Sequence, residues 1–149
     1  RAVYGGSRIE VVRGNLADLA AAFASTPFAD AIALTRRYDS HVRAAYPGLM
    51  SSRCNYDVIS GVDSRGNRRR GVLEQSWRVG GATAAELGAL ERFLADPSTQ
   101  RVIASTHDHY GEARLPDGAE VYCAMDDPHC GPITKYRMIE AYGSQTRHD

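Results

Sequence analysis

Five polar residues between positions 55 and 78 have the types and spacing to handle a metal-bound phosphate. They are Asn55, Asp57, Glu74, Ser76 and Arg78, in the stretch RCNYDVISGVDSRGNRRRGVLEQSWRVGGAT. Arg53, Asn55 and Asp57 alternate with Cys54, Tyr56 and Val58, the period-two pattern of a strand with one polar and one apolar face. Asp63-Ser-Arg-Gly-Asn67 is a turn signal. Closing a hairpin around a four-residue loop, Ser64 to Asn67, pairs Asp63 with Arg68. Asp57 then faces Glu74, Asn55 faces Ser76, and Arg53 faces Arg78. The other face pairs Val58 with Leu73, Tyr56 with Gln75, and Cys54 with Trp77, which makes Trp77 a core or cleft-wall residue. A two-residue loop shifts this pairing by two and keeps the faces, whereas a three-residue loop or a bulge separates them.

Two carboxylates directly opposite each other repel. Solvent, a neighbouring arginine, a shared proton or a divalent cation can offset that. Magnesium favours one or two carboxylates together with its own waters and substrate phosphates, and Asp57, Glu74 and Asn55 offer hard oxygens of that kind. The same residues also suit the ordinary polar outer face of a half-buried sheet.

The elements that position these residues can be read on either side. Residues 3–13 read as a strand. Asn15 is a plausible N-cap for a helix through Leu16, Leu19, Ala20 and Phe23. A second helix runs from near Phe28 to Tyr46, with Ile32, Leu34, Thr35, Tyr38, Val42 and Ala45 on its apolar side and Pro47-Gly48 ending it. After the hairpin, Gly80-Gly81 precedes Thr83-Ala-Ala-Glu86, a capping box. Leu87, Leu90 and Leu94 line one face of the helix that follows, which stops near Asp96-Pro97. Strands are expected over residues 101–110, 120–125 and 133–139, with a turn at Leu115-Pro-Asp-Gly118 and a loop from Asp126 to Pro132. The tail from Gly143 is polar. Helices and hairpins mixed without regular βαβ alternation predict an α+β domain over residues 1–142, with a largely antiparallel sheet and flanking helices.

The chemistry-bearing pattern resembles the C-terminal part of the ATP-grasp fold. The likeness lies in Asn55-x-Asp57, the polar turn, two hydrophobic residues before Glu74-x-Ser76, and Gly80-Gly81-Ala-Thr83. More narrowly, GVLEQSWRVGGA and the late GPITKY resemble a proteobacterial family commonly labelled biotin carboxylase-like. The resemblance implies an ATP- and magnesium-dependent ligase that activates a small-molecule carboxylate as an acyl phosphate, releases ADP and passes the acyl group to an amine-type acceptor. It implies Asp57 and Glu74 as metal ligands, Asn55, Ser76, Gly80 and Gly81 as nucleotide contacts, and Arg78 as a clamp on phosphate or substrate. ATP-grasp enzymes usually carry asparagine where Ser76 stands, and arginine where Asn55 stands. The lost asparagine, together with the absence of lysines other than Lys135, favours an alternative, a non-catalytic small-molecule-binding or regulatory domain.

Composition narrows the classes. The chain has 149 residues, enough for one domain with a real core. Apolar residues make up 43% and charged residues 24%, ordinary values for a globular protein. Eighteen basic and 18 acidic residues balance to zero, which argues against nucleic-acid or anionic-membrane partners reached by bulk charge. No apolar run approaches the ~20 residues of a membrane span, and no signal peptide opens the chain. Three cysteines, an odd number, predict reduced thiols in the cytoplasm. Cys123, Cys130, His107, His109 and His129 match no standard zinc frame. Lys135 is the only lysine. ATP-grasp enzymes hold phosphates with lysines from an N-terminal lid, so this reading expects a longer protein whose N-terminal remainder is a partner of this chain. A homo-oligomer is compatible with it.

Overall fold

The computed structural model describes residues 3–112 and 114–143. It is α+β, with three helices and six strands among those residues, in antiparallel sheets. Its contacts divide the chain into two compact units, Gly14–Val79 and Arg1–Arg13 with Gly80–Asp149.

The first unit holds α1 (Leu16–Ala22), α2 (Ala29–Ala45), β2 (Asn55–Val62) and β3 (Arg68–Ser76). Asn15 caps α1 as expected, and the cap is reciprocal. Its Oδ1 accepts from the Ala17 and Asp18 amides, while Asp18 Oδ2 accepts from the Asn15 amide at 2.8 Å. The α2 helix lies against one face of the β2–β3 hairpin. Tyr38 donates to Gln75 Oε1 at 2.8 Å, and Arg70 reaches Asp30 in the first turn of α2 at 2.9 Å. The expected apolar side of α2 is only half-buried at Ile32, Leu34, Thr35, Tyr38 and Val42, and Ala45 is exposed. The buried residue of this helix is Asp39.

In the second unit β1 (Gly6–Val12), β4 (Arg101–Tyr110), β5 (Glu120–Asp127) and β6 (Gly131–Gly143) form one antiparallel sheet in the order β1-β4-β6-β5. One helix, α3 (Thr83–Ala95), packs on it. The core joins Ala85, Ala89 and Phe93 of α3 to Val102 and Ala104 of β4, with Ile9, Val11 and Ile139 around them. Leu87, Leu90 and Leu94, the face expected to pack, are instead 51%, 52% and 82% exposed. The reason is the closeness of helix and sheet. A Cβ added at Gly88 would sit 2.9 Å from the end of Ile139. Only the Ala85–Gly88–Ala89 face is slim enough for that approach, and the leucines point the other way.

Three other expectations change. Thr83 is the first helical residue, and the N-cap is Ala82, which makes no side-chain cap. Thr83 Oγ1 instead accepts from the Gly80 amide at 2.9 Å, so the box expected at Thr83-Ala-Ala-Glu86 gives way to a turn closed one step earlier. The loop expected from Asp126 to Pro132 is mostly strand. Asp126 pairs with Pro132 and Asp127 with Gly131, and Asp127 Oδ1 accepts from the His129 and Cys130 amides. Gly143, expected to open the tail, is the last residue of β6 and pairs with Arg101. The rest of that tail, residues 144–149, lies outside the described residues.

Candidate functional site

The hairpin closes differently from the expected four-residue loop. The Asp63 amide donates to Asn67 O, and the Gly66 amide to Asp63 O, both at 2.9 Å. Three residues, Ser64 to Gly66, thus form the loop, and Val62 rather than Asp63 pairs with Arg68. Gly66 sits at φ +80°, where a side chain would be strained. The Asp63 carboxylate accepts from the Arg65 and Asn67 amides and from Arg69 Nε, and these bonds hold its pKa below the usual range.

A three-residue loop shifts the register by one. A bulge at Leu73 then shifts it back, so that Val58 faces Val72 instead of Leu73. Beyond the bulge Asp57 faces Glu74, Tyr56 faces Gln75 and Asn55 faces Ser76, as the sequence predicts. The expected pairs further along, Arg53 with Arg78 and Cys54 with Trp77, do not form part of the ladder, which ends at Asn55 and Ser76. Arg53 crosses to the other strand through its side chain. Its Nη1 donates to Arg78 O at 2.7 Å and to Ser76 O at 3.3 Å.

Asp57 and Glu74 are thus a directly opposed pair on the hairpin face turned away from Tyr56 and Gln75. Both are exposed. Asn55 Nδ2 donates to Asp57 Oδ1 at 3.0 Å. Among the described residues no arginine pairs with either carboxylate. Neighbouring acids elsewhere are bridged. Asp63 has Arg69, Asp30 has Arg70, and Asp39 has Arg43. Arg78 is exposed, and its Nη1 rests on Val79 O at 3.1 Å.

Gly80 and Gly81 belong to the other unit. The Gly80 amide is taken by Thr83, and Gly81 O accepts from Thr106 Oγ1 at 3.0 Å. A Cβ at Gly81 would lie 2.6 Å from the Tyr4 ring, so the glycine there admits Tyr4. Among the described residues no three His, Cys, Asp or Glu side chains gather as a metal cage would require. His107 stacks on Tyr136, and His109 Nε2 lies 2.9 Å from Glu112 O. Lys135, the only lysine, is paired with the nearly buried Asp108.

A family model described as "Protein of unknown function (DUF3182)" matches residues 1–137. The chain belongs to that family. No curated protein and no solved structure matches it. No described helix of this DUF3182 protein is long and apolar enough to cross a membrane.

The other face of its hairpin carries a network that the sequence did not single out. Tyr56 donates to Asp39 Oδ1 at 2.5 Å, Arg43 Nε donates to Asp39 Oδ2 at 2.8 Å, and Arg43 Nη2 reaches Cys54 Sγ at 3.4 Å. The Arg43 bond holds the Asp39 carboxyl below its usual range, with help from Tyr56 and against the effect of burial. Burial, then the bond to Asp39, raises the Tyr56 phenol. The available signal was the i,i+4 spacing of Asp39 and Arg43 on one helix. A carboxyl depressed in the folded chain stabilises it above the unfolded pKa, and that contribution disappears as pH falls through the folded value. Asp39→Asn is therefore expected to lower stability at neutral pH and to flatten the acid limb below about pH 4. Denaturant titrations across pH 2–7 check this, and an acid limb identical to the wild type contradicts it.

Proposed function

We propose that this DUF3182 chain is the C-terminal part of an ATP- and magnesium-dependent, ATP-grasp-like ligase that activates a small-molecule carboxylate. The supporting observation is the Asp57–Glu74 pair, opposed across two strands and, among the described residues, left without an arginine in a chain with 17 of them. The donor set suits magnesium. It offers two exposed carboxylates, the amide oxygen of Asn55 and the Ser76 hydroxyl, which leaves the remaining positions of a six-coordinate ion to waters and phosphates. Bound there, magnesium would neutralise charge on the phosphates of ATP.

In this reading Asp57 and Glu74 hold the ion, and Asn55 fixes the Asp57 carboxylate by its hydrogen bond. Arg53 ties down the backbone at Ser76 and Arg78, which steadies the strand end that presents the Arg78 guanidinium. Arg78 then clamps a phosphate or the substrate carboxylate with a planar fork. The rest of the same protein supplies the other jaw of the nucleotide clamp, including lysines. The cytoplasm is its place, with Cys54, Cys123 and Cys130 as thiols. A second reading, a binding or regulatory domain without turnover, is favoured by Ser76 standing where a metal-binding asparagine is usual.

Hydroxylamine trapping separates the two. The complete protein, given magnesium-ATP, a panel of carboxylates and hydroxylamine, is expected to release ADP and form an acyl hydroxamate with at least one carboxylate. Nucleotide binding without carboxylate-dependent ADP release supports the second reading and contradicts the first.

A further inference from the structure

The C-terminal half of α2 and the turn after it do not close onto the hairpin. Between them is a cleft of ≈ 730 Å³, lined among others by Tyr38, Val42, Tyr46, Leu49, Gln75 and Trp77. Small-molecule sites commonly span about 300–1,000 Å³ and are mostly apolar, with a few placed polar groups. Tyr38, Val42 and Ala45 form the stripe that helical periodicity assigns to packing. Here they line a cleft instead, and Tyr46 is 66% exposed at its lip.

The walls are aromatic and held in place. Tyr56 makes edge-on contacts with both Tyr38 and Trp77, at ring-centroid distances of 5.6 Å and 6.3 Å. Tyr56 is itself fixed by its bond to Asp39. Among the described residues no charged side chain lines the cleft. Its polar groups include the Gln75 amide. Tyr38 occupies Gln75 Oε1, so the two Nε2 hydrogens remain to donate. Rings prefer ring partners in offset or edge-to-face geometry, and a wall donor favours an occupant with an acceptor.

We propose that this cleft binds a neutral, planar heteroaromatic small molecule bearing a hydrogen-bond acceptor, with the acceptor met by Gln75 and the ring packed among Tyr38, Tyr46 and Trp77. Gln75 alternates with Glu74 and Ser76 along β3, so the cleft opens on the opposite hairpin face from the carboxylate pair. It stands independently of the ligase reading.

Trp77 is the only tryptophan, so its indole N–H gives one resonance in a ¹H–¹⁵N spectrum of the 149-residue chain. The probe is 2-quinolone, with cyclohexanecarboxamide and octanoate as comparisons. A saturable shift of the Trp77 resonance is expected with 2-quinolone, and binding about tenfold weaker or less with the two comparisons. Tyr46→Ala and Gln75→Leu, both at exposed positions and so expected to keep the fold, should each weaken 2-quinolone about tenfold. Backbone spectra of both variants verify folding. No saturable shift, equal binding of octanoate or cyclohexanecarboxamide, or unchanged affinity in both folded variants overturns the proposal.

Discussion

Glu74→Gln in the complete protein should abolish most metal-dependent turnover while leaving the fold intact. Removing a group that meets transition-state charge commonly costs about 10²–10³ in rate, and a metal ligand belongs at the upper end of that range. The substitution keeps shape and removes charge. The Glu74 side chain is exposed and has no hydrogen-bond or ion-pair partner among the described residues, so nothing folded depends on its carboxylate. Its direct neighbour is the like-charged Asp57. Relieving that repulsion should leave metal-free stability unchanged or raise it by about 0.2–1 kcal/mol. Activity lost with stability held is the signature of a residue kept for chemistry. Turnover at the wild-type rate removes this carboxylate from the mechanism. A large loss of stability makes its role structural.

Gly6→Ala should be the most damaging small substitution at the start of β1. Gly6 has φ +135°, a conformation that side chains rarely adopt. A Cβ there would stand 2.0 Å from the backbone oxygen of Thr106. That strand cannot retreat easily. Thr106 is 1% exposed, its hydroxyl donates to Gly81 O, and it accepts from the Ser7 amide. Backbone strain and overpacking together are expected to cost about 3 kcal/mol or more. Gly5→Ala is the internal control. Nothing lies within 4 Å of its added Cβ, and a change within about 0.5 kcal/mol is expected. Urea denaturation of the two variants measures the difference, and equal stabilities contradict this account of Gly6.

The opposition of Asp57 and Glu74 was legible in the sequence, but for reasons the sequence does not display. The four-residue loop expected from Asp63-Ser-Arg-Gly-Asn67 is one residue too long, and the regular ladder omits a bulge at Leu73. Each departure alone would turn the pair onto opposite faces. Together they cancel, because one shortens the loop and the other adds a residue to the strand. The outer elements were read from periodicity, and α2, α3 and β4 end within a residue or so of where the pattern ends. Which face of α3 packs was not legible. Leucine outranks alanine in any hydrophobicity count, yet the distance between helix and sheet decides in favour of Ala85, Gly88 and Ala89. Capping failed for a similar reason at Thr83, where the hydroxyl is drawn to the Gly80 amide. The same kind of motif succeeded at Asn15, where Asp18 answers it. The buried Asp39 was hidden because its partners, Tyr56 and Cys54 through Arg43, come from a distant strand and its approach.

Paramagnetic broadening by Mn²⁺ tests whether Asp57 and Glu74 together hold a divalent cation. The readout is the backbone amide spectrum of the 149-residue chain titrated with Mn²⁺. Amides of residues 55–57 and 74–76 are expected to broaden first and selectively, magnesium in excess to restore them, and Glu74→Gln to remove the effect. Broadening that is absent, uniform over the chain, or unchanged in Glu74→Gln would contradict joint binding by the pair.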